Sequence, residues 1–194
     1  MKHLYLALYL VCITITAIAQ TIIIDEGAGI GQLRIGQTYD DVVNTMGFTG
    51  KLKSYDDYLA DELFMENPNS VLECIIGFDY YIKYTHLITL PVSYIFFRNN
   101  TVVQIKVTSF PEYLFSIANA TSTQKGLKFW DSPDDMQRFY GKPQMTRKYD
   151  TTMLESSFYF NEGIAFSYRE DNFRIAHIFR TPSAEVLKKF ESGS

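Results

Sequence analysis

Cysteine is scarce in this 194-residue chain: Cys12 and Cys74 are the two present, and the first lies in a segment expected to be removed. An intramolecular disulfide is thereby excluded from the mature protein. Basic residues are outnumbered, 18 Lys and Arg against 22 Asp and Glu, and they form no long run, which argues against a nucleic-acid partner. Histidine is equally sparse. His86 and His177 stand far apart, with no H-x-x-H or C-x-x-C spacing and no G-x-S-x-G elsewhere, so no metal, cofactor or compact nucleophilic centre can be placed. The apolar run Leu4 to Thr16 is too short for a stable membrane span.

That run follows Lys2 and His3 and leads into Ala17-Ile18-Ala19 before Gln20, the order of an export signal. Residues 1–19 are therefore expected to be cleaved, leaving an exported product, periplasmic or extracellular. Cys12 follows Tyr9-Leu10-Val11 rather than a small residue, so no lipid anchor is expected.

What the chain does contain is a self-similarity. Leu33 to Gly47, LRIGQTYDDVVNTMG, returns 94 residues later as Leu127 to Gly141, LKFWDSPDDMQRFYG. Thr38 and Ser132 each precede a pair of acids, and Asp41 and Asp135 stand three residues on, the grammar of a capping box. Apolar residues at helical spacing follow, then Gly47 or Gly141 as helix stop. Short helices are predicted over 39–46 and 133–140. Ser54 and Asp57 announce another helix in the first copy, and Asn67-Pro68-Asn69 ends it.

Strands are read from alternation. Thr21 to Asp25 is a short one; Leu72 to Tyr84 reads as a long one bent at Gly77; Val92 to Phe97 and Val102 to Thr108 read as a hairpin about Asn99-Asn100. In that hairpin Phe96 is expected opposite Val103, Tyr94 opposite Ile105 and Val92 opposite Val107, all on one apolar face. Phe158–Phe160, Ile164–Tyr168 and Phe173–Phe179 supply three more strands. The fold class expected is α+β: two tandem repeats, each a helix plus an antiparallel sheet, with helices on one side of the sheet. Its divisions are a first repeat over 20–110, a linker over 111–125, a second repeat over 126–182 and a tail over 183–194, frayed from Lys188 to Ser194.

The pattern G-x-L-x-I-G-x-T-x-D-D-V, Gly31 to Val42, resembles the repeat unit of the small outer-membrane-assembly lipoproteins of the SmpA/OmlA type. Doubled, it is similar in plan to the secreted β-lactamase inhibitor proteins. The second copy departs from the pattern where Trp130 replaces the glycine. What the resemblance implies is a protein-binding role, inhibitor-like or envelope-assembly-like.

The paired acids at 40/41, 56/57 and 134/135 all stand at helix starts, where capping explains them better than acid–base catalysis. Glycines over 27–31 miss the dinucleotide frame because Arg34 takes its last position. Cys74 reads as a buried thiol and His177 as a sheet histidine. The oddity is aromatic content, 15 Phe, 14 Tyr and 1 Trp. After alternation fills the core, Tyr81, Ile95, Phe97 and Trp130 are left at exposed or edge positions and become the candidate protein-binding residues. The function expected is that of an exported, non-enzymatic protein-binding module with no cofactor and an unidentified protein partner. The alternatives are a secreted enzyme using acids or His177 in a cleft, and a structural envelope protein.

Overall fold

The computed structural model describes residues 22–47, 51–62, 71–84, 92–109, 121–149, 154–169 and 172–192; the expected export signal lies outside them. A small four-stranded sheet has the order β3-β2-β1-β8: β1 is Ile22–Asp25, β2 Gly29–Ile30, β3 Leu33–Arg34 and β8 Thr121–Thr123. A larger sheet has eight strands in the order β4-β5-β6-β7-β12-β11-β10-β9. Its first half holds β4 (Lys53–Ser54), β5 (Tyr80–Tyr84), β6 (Val92–Arg98) and β7 (Thr101–Thr108). Its second half holds β9 (Met145–Tyr149), β10 (Leu154–Tyr159), β11 (Ile164–Arg169) and β12 (Asn172–Phe179). The halves join where β7 pairs antiparallel with β12.

Five short helices accompany the sheets among the described residues: α1 Tyr39–Met46, α2 Tyr55–Glu62, α3 Leu72–Ile76, α4 Pro133–Tyr140 and α5 Ala184–Ser192. α1 and α4 begin as their spacing predicts. Thr38 accepts from the Asp41 N–H and Ser132 from the Asp135 N–H, and each acid reaches back to its cap, so both capping boxes are closed. Gly36 and Trp130 sit at the same offset before these caps, and both have positive φ, +94° and +77°. Tryptophan is strained there. The Arg174 guanidinium lies 3.4 Å over its ring, and the ring packs against the core.

The expected α+β plan, helices along one side of the sheet, is overturned. The protein is mostly β, with a second sheet that was not anticipated and a few small helices. The reason is visible in β6, where Ser93 to Phe97 are buried in succession rather than alternately. A strand buried on both faces belongs to a sheet covered on both faces. On one face Ile82, Ile95, Phe97, Ile105 and Ile178 join Ile24, Ile30 and Leu33 of the small sheet, Val42 of α1 and Met136 of α4 in a single core. On the other, Tyr81, Tyr94 and Phe96 pack under Tyr58 of α2, while Phe158, Phe160, Ala165 and Phe179 pack with Leu72 of α3 and Phe190 of α5.

Three local expectations are corrected as well. A β-bulge between Phe96 and Phe97 places Phe96 opposite Gln104, Tyr94 opposite Lys106 and Val92 opposite Thr108, one residue away from the expected register. Leu72 to Ile76 is helix, not strand: Leu72, Ile75 and Ile76 pack on one cluster at helical spacing, and Gly77 ends the turn at φ +80°. The expected frayed tail contains α5, held by a fully buried Phe190.

Candidate functional site

The join between the two halves of the large sheet carries polar chemistry on the α3 side. There His177 stands opposite Lys106 and Phe179 opposite Gln104. Glu73, on α3, brings Oε1 within 2.9 Å of His177 Nδ1. The other ring nitrogen, Nε2, lies 3.1 Å from Ser167 Oγ, which is 2.5 Å from Ser156 Oγ. Lys106 Nζ donates to Tyr58 Oη at 3.4 Å and lies 5.1 Å from the centre of the Tyr94 ring. Glu73 is 2 % exposed and Ser167 3 %. Burial by itself would push the Glu73 carboxyl up, but the charges of His177 and Lys106 and the His177 hydrogen bond outweigh it and hold the group below the ordinary carboxylate range.

Acid, imidazole and hydroxyl are thus connected in the order of a nucleophilic triad. Connection is not enough for acyl transfer, which also needs a reachable Oγ and donors for an oxyanion. Ser167 is sealed, shares its hydroxyl with Ser156, and lies on a strand paired on both sides. The arrangement is suited to clamping α3 and both halves of the sheet through one charged, hydrogen-bonded cluster.

Beside the cluster, Gln104 is 1 % exposed, and neither its Nε2 nor its Oε1 has a partner among the described residues. An unpaired buried amide costs about 1–3 kcal/mol. Gln104→Met, which keeps the length and removes the polar atoms, is therefore expected to raise stability by roughly 1 kcal/mol, measured by urea unfolding. A loss of stability would show that the amide has a partner.

The candidates read from the sequence fall elsewhere. Tyr81, Ile95 and Phe97 are 1 %, 0 % and 0 % exposed, and Trp130 is partly buried against the core. The expected aromatic surface is corrected accordingly: alternation assigned one face to the core and the other to solvent, whereas both are covered. Cys74 is half-buried, and burial pushes its thiol up to about 11, so it is not poised as a nucleophile. Asp41, Asp57 and Asp135 accept cap hydrogen bonds from Thr38, Ser54 and Ser132, which lower their carboxyl pKa values. Among the described residues no group of three or more His, Cys, Asp or Glu side chains could hold a metal ion, and no helix is long and apolar enough to cross a membrane. His177 was singled out from the sequence, but Glu73, Ser156, Ser167 and Lys106 were not. The available signal was a lone acid and a lone lysine inside apolar stretches, Leu72-Glu73-Cys74-Ile75 and Ile105-Lys106-Val107.

The second notable feature is an edge. The large sheet ends at β9, five residues long and paired among the described strands with β10 alone. Thr146 and Lys148 are exposed, while Arg147 lies across the Phe190 ring at 4.2 Å and donates to the Phe190 carbonyl. The other edges are shorter: β4 and β3 have two residues and β8 has three.

No protein-family model matches the chain, and no curated protein does. One solved structure shows a distant likeness, the uncharacterized protein YfeY from Escherichia coli. Its identity is 10 % and its TM-score 0.38, over 83 % of this chain and 99 % of that one.

Proposed function

We propose that the protein is an exported, non-enzymatic protein-binding module that takes up an extended segment of its partner along β9. The observation that carries this reading is the edge position of β9 among the described strands. β9 is five residues long and pairs there with β10 alone, and a partner strand added on its other side would form main-chain hydrogen bonds while alternate side chains set specificity. The export-signal order of residues 1–19 supports an encounter outside the cytoplasm, in the periplasm or beyond the cell. The resemblance of Gly31 to Val42 to envelope-assembly repeats supports the same class of role by analogy.

The test places a photo-crosslinking amino acid at exposed Thr146 and, as control, at exposed Asn99 in the β6–β7 turn. Irradiation in envelope extract of the producing cell is expected to give one discrete heterologous adduct at Thr146 and none at Asn99. No adduct at Thr146, or the same adducts at both positions, would contradict strand addition at β9.

A further inference from the structure

We infer that α3 is an acid-released strap: when Glu73 takes up a proton, the helix leaves the large sheet while both sheets stay folded, and the face bearing Lys106, His177 and Gln104 is uncovered. The way α3 is fastened supports this. It is five residues long, Leu72–Ile76, and Val71 at its start makes no side-chain cap hydrogen bond. Its other end is built as a pivot. Gly77 has φ +80°, and within 4 Å an added Cβ would meet Arg98 Nη1 alone, at 3.6 Å. The same guanidinium donates to the Ile76 carbonyl at 2.8 Å. Just beyond the pivot the chain is anchored, because Phe78 is buried among Tyr58, Tyr81 and Phe96 and the Asp79 N–H donates to the Phe97 carbonyl.

What α3 covers is a polar seam between two apolar clusters. Leu72 packs with Phe158 and Phe179 in one, Cys74 with Tyr58 and Phe96 in the other, and Glu73, between them in sequence, reaches His177. Gln104 belongs to the same seam, because its directly paired neighbours Phe179 and Phe96 lie one in each cluster. The closed strap leaves the Gln104 amide buried with no partner among the described residues, and opening lets water reach it. That cost is offset while Glu73 is ionised. The groups facing Glu73 are His177 from β12 and Lys106 from β7. Tyr58 of α2 accepts from Lys106, and Tyr55 of α2 lies beside Cys74. α5 turns Leu187 and Phe190 toward the first cluster, and its Glu185, Lys188, Lys189 and Glu191 are exposed. Burial disfavours the Glu73 carboxylate, but the charges of His177 and Lys106 and the His177 hydrogen bond outweigh it. A carboxyl depressed in the closed state favours closure above its open-state pKa, and that advantage is lost as pH falls through the closed-state value. Neutral pH locks the strap and acid unlocks it.

Cys74 reports on the strap and Trp130 on the fold. Cys74 is half-buried and carried by α3, whereas Trp130, the chain's single tryptophan, packs against the core on the opposite face of the large sheet. The full chain is treated with a pyridyl disulfide at pH 6 and at pH 3, and labelling at Cys74 is read by peptide mass. Each rate is divided by that of the urea-unfolded chain at the same pH, which removes the pH dependence of the thiol itself. The normalised rate is expected to rise about thirtyfold from pH 6 to pH 3 while Trp130 emission stays native, since a carboxyl lowered from 4.5 to about 2 shifts the opening equilibrium by about that factor. Glu73→Gln should label quickly at both pH values and show no such rise. A normalised rate that does not change with pH would overturn the strap, and so would one that rises only as Trp130 emission turns to that of the unfolded chain. A rise kept in Glu73→Gln would overturn Glu73 as the group that takes up the proton.

Discussion

Glu73→Ala is expected to lower the free energy of unfolding by about 3–5 kcal/mol, because it removes the buried carboxylate that faces both His177 and Lys106 and leaves their charge uncompensated. The loss belongs to the unpaired cation, not to missing volume. Glu73→Gln should therefore be costly despite its shape, and adding His177→Leu to Glu73→Leu should recover part of the loss, since an apolar replacement of a whole buried ion pair is often neutral. Equilibrium urea unfolding of the wild type and these variants decides the matter.

The same cluster predicts an acid limit. The folded-state pKa of Glu73 is depressed, to about 2, from an ordinary value of about 4.5. A depressed carboxyl contributes stability that is fully present above its unfolded pKa and is lost as pH falls through its folded one. The wild-type protein should lose this contribution between about pH 4.5 and 2, and the Glu73→Gln variant should lack that component of the pH dependence.

Gly163→Ala is the second substitution expected to have a large effect. Gly163 has φ +68°, and a Cβ added there would lie 2.3 Å from the Phe179 carbonyl oxygen and 2.6 Å from the Gly27 Cα. Both atoms are backbone, one at the end of β12 and the other in the β1–β2 turn, so neither can rotate away. The large sheet would have to part from the small one at this point. A loss of about 3 kcal/mol or more follows, a fall in melting temperature on the order of 6–12 °C. Gly47→Ala is the control. Its φ is +61°, but an added Cβ meets nothing within 4 Å, so the substitution should cost about 1 kcal/mol from backbone strain alone. Similar melting temperatures for the two variants would contradict the close approach of Gly163 to its neighbours.

The sequence made local chemistry legible and left global coverage hidden. Capping is read within four residues, so Thr38 with Asp41 and Ser132 with Asp135 were predicted down to their hydrogen bonds. Asn99-Asn100 was equally readable as a two-residue turn, and both adopt left-handed φ, 50° and 59°. The bulge at Phe96 was not readable, because the apolar pattern on both sides of it accommodates either register. Burial on two faces depends on what packs above and below. Five consecutive buried residues in β6 therefore looked like an alternation with aromatics to spare, and Tyr81, Ile95 and Phe97 were assigned outward when they are core. The Glu73–His177 pair spans 104 residues and joins a five-residue helix to a strand of the other half. No local pattern records such a contact. β9 escaped because its residues include Thr, Arg and Lys at positions that an edge tolerates and a central strand does not.

Strand addition at β9 is tested most directly by hydrogen–deuterium exchange of Met145–Tyr149 in the free protein and in its complex with the partner captured through Thr146. Backbone N–H groups that point away from β10 should exchange quickly in the free protein and slow at least tenfold in the complex, while the amides of β5 to β7 remain unchanged. Protection that appears at the β6–β7 turn instead, or β9 exchange that is the same in both states, would contradict the account.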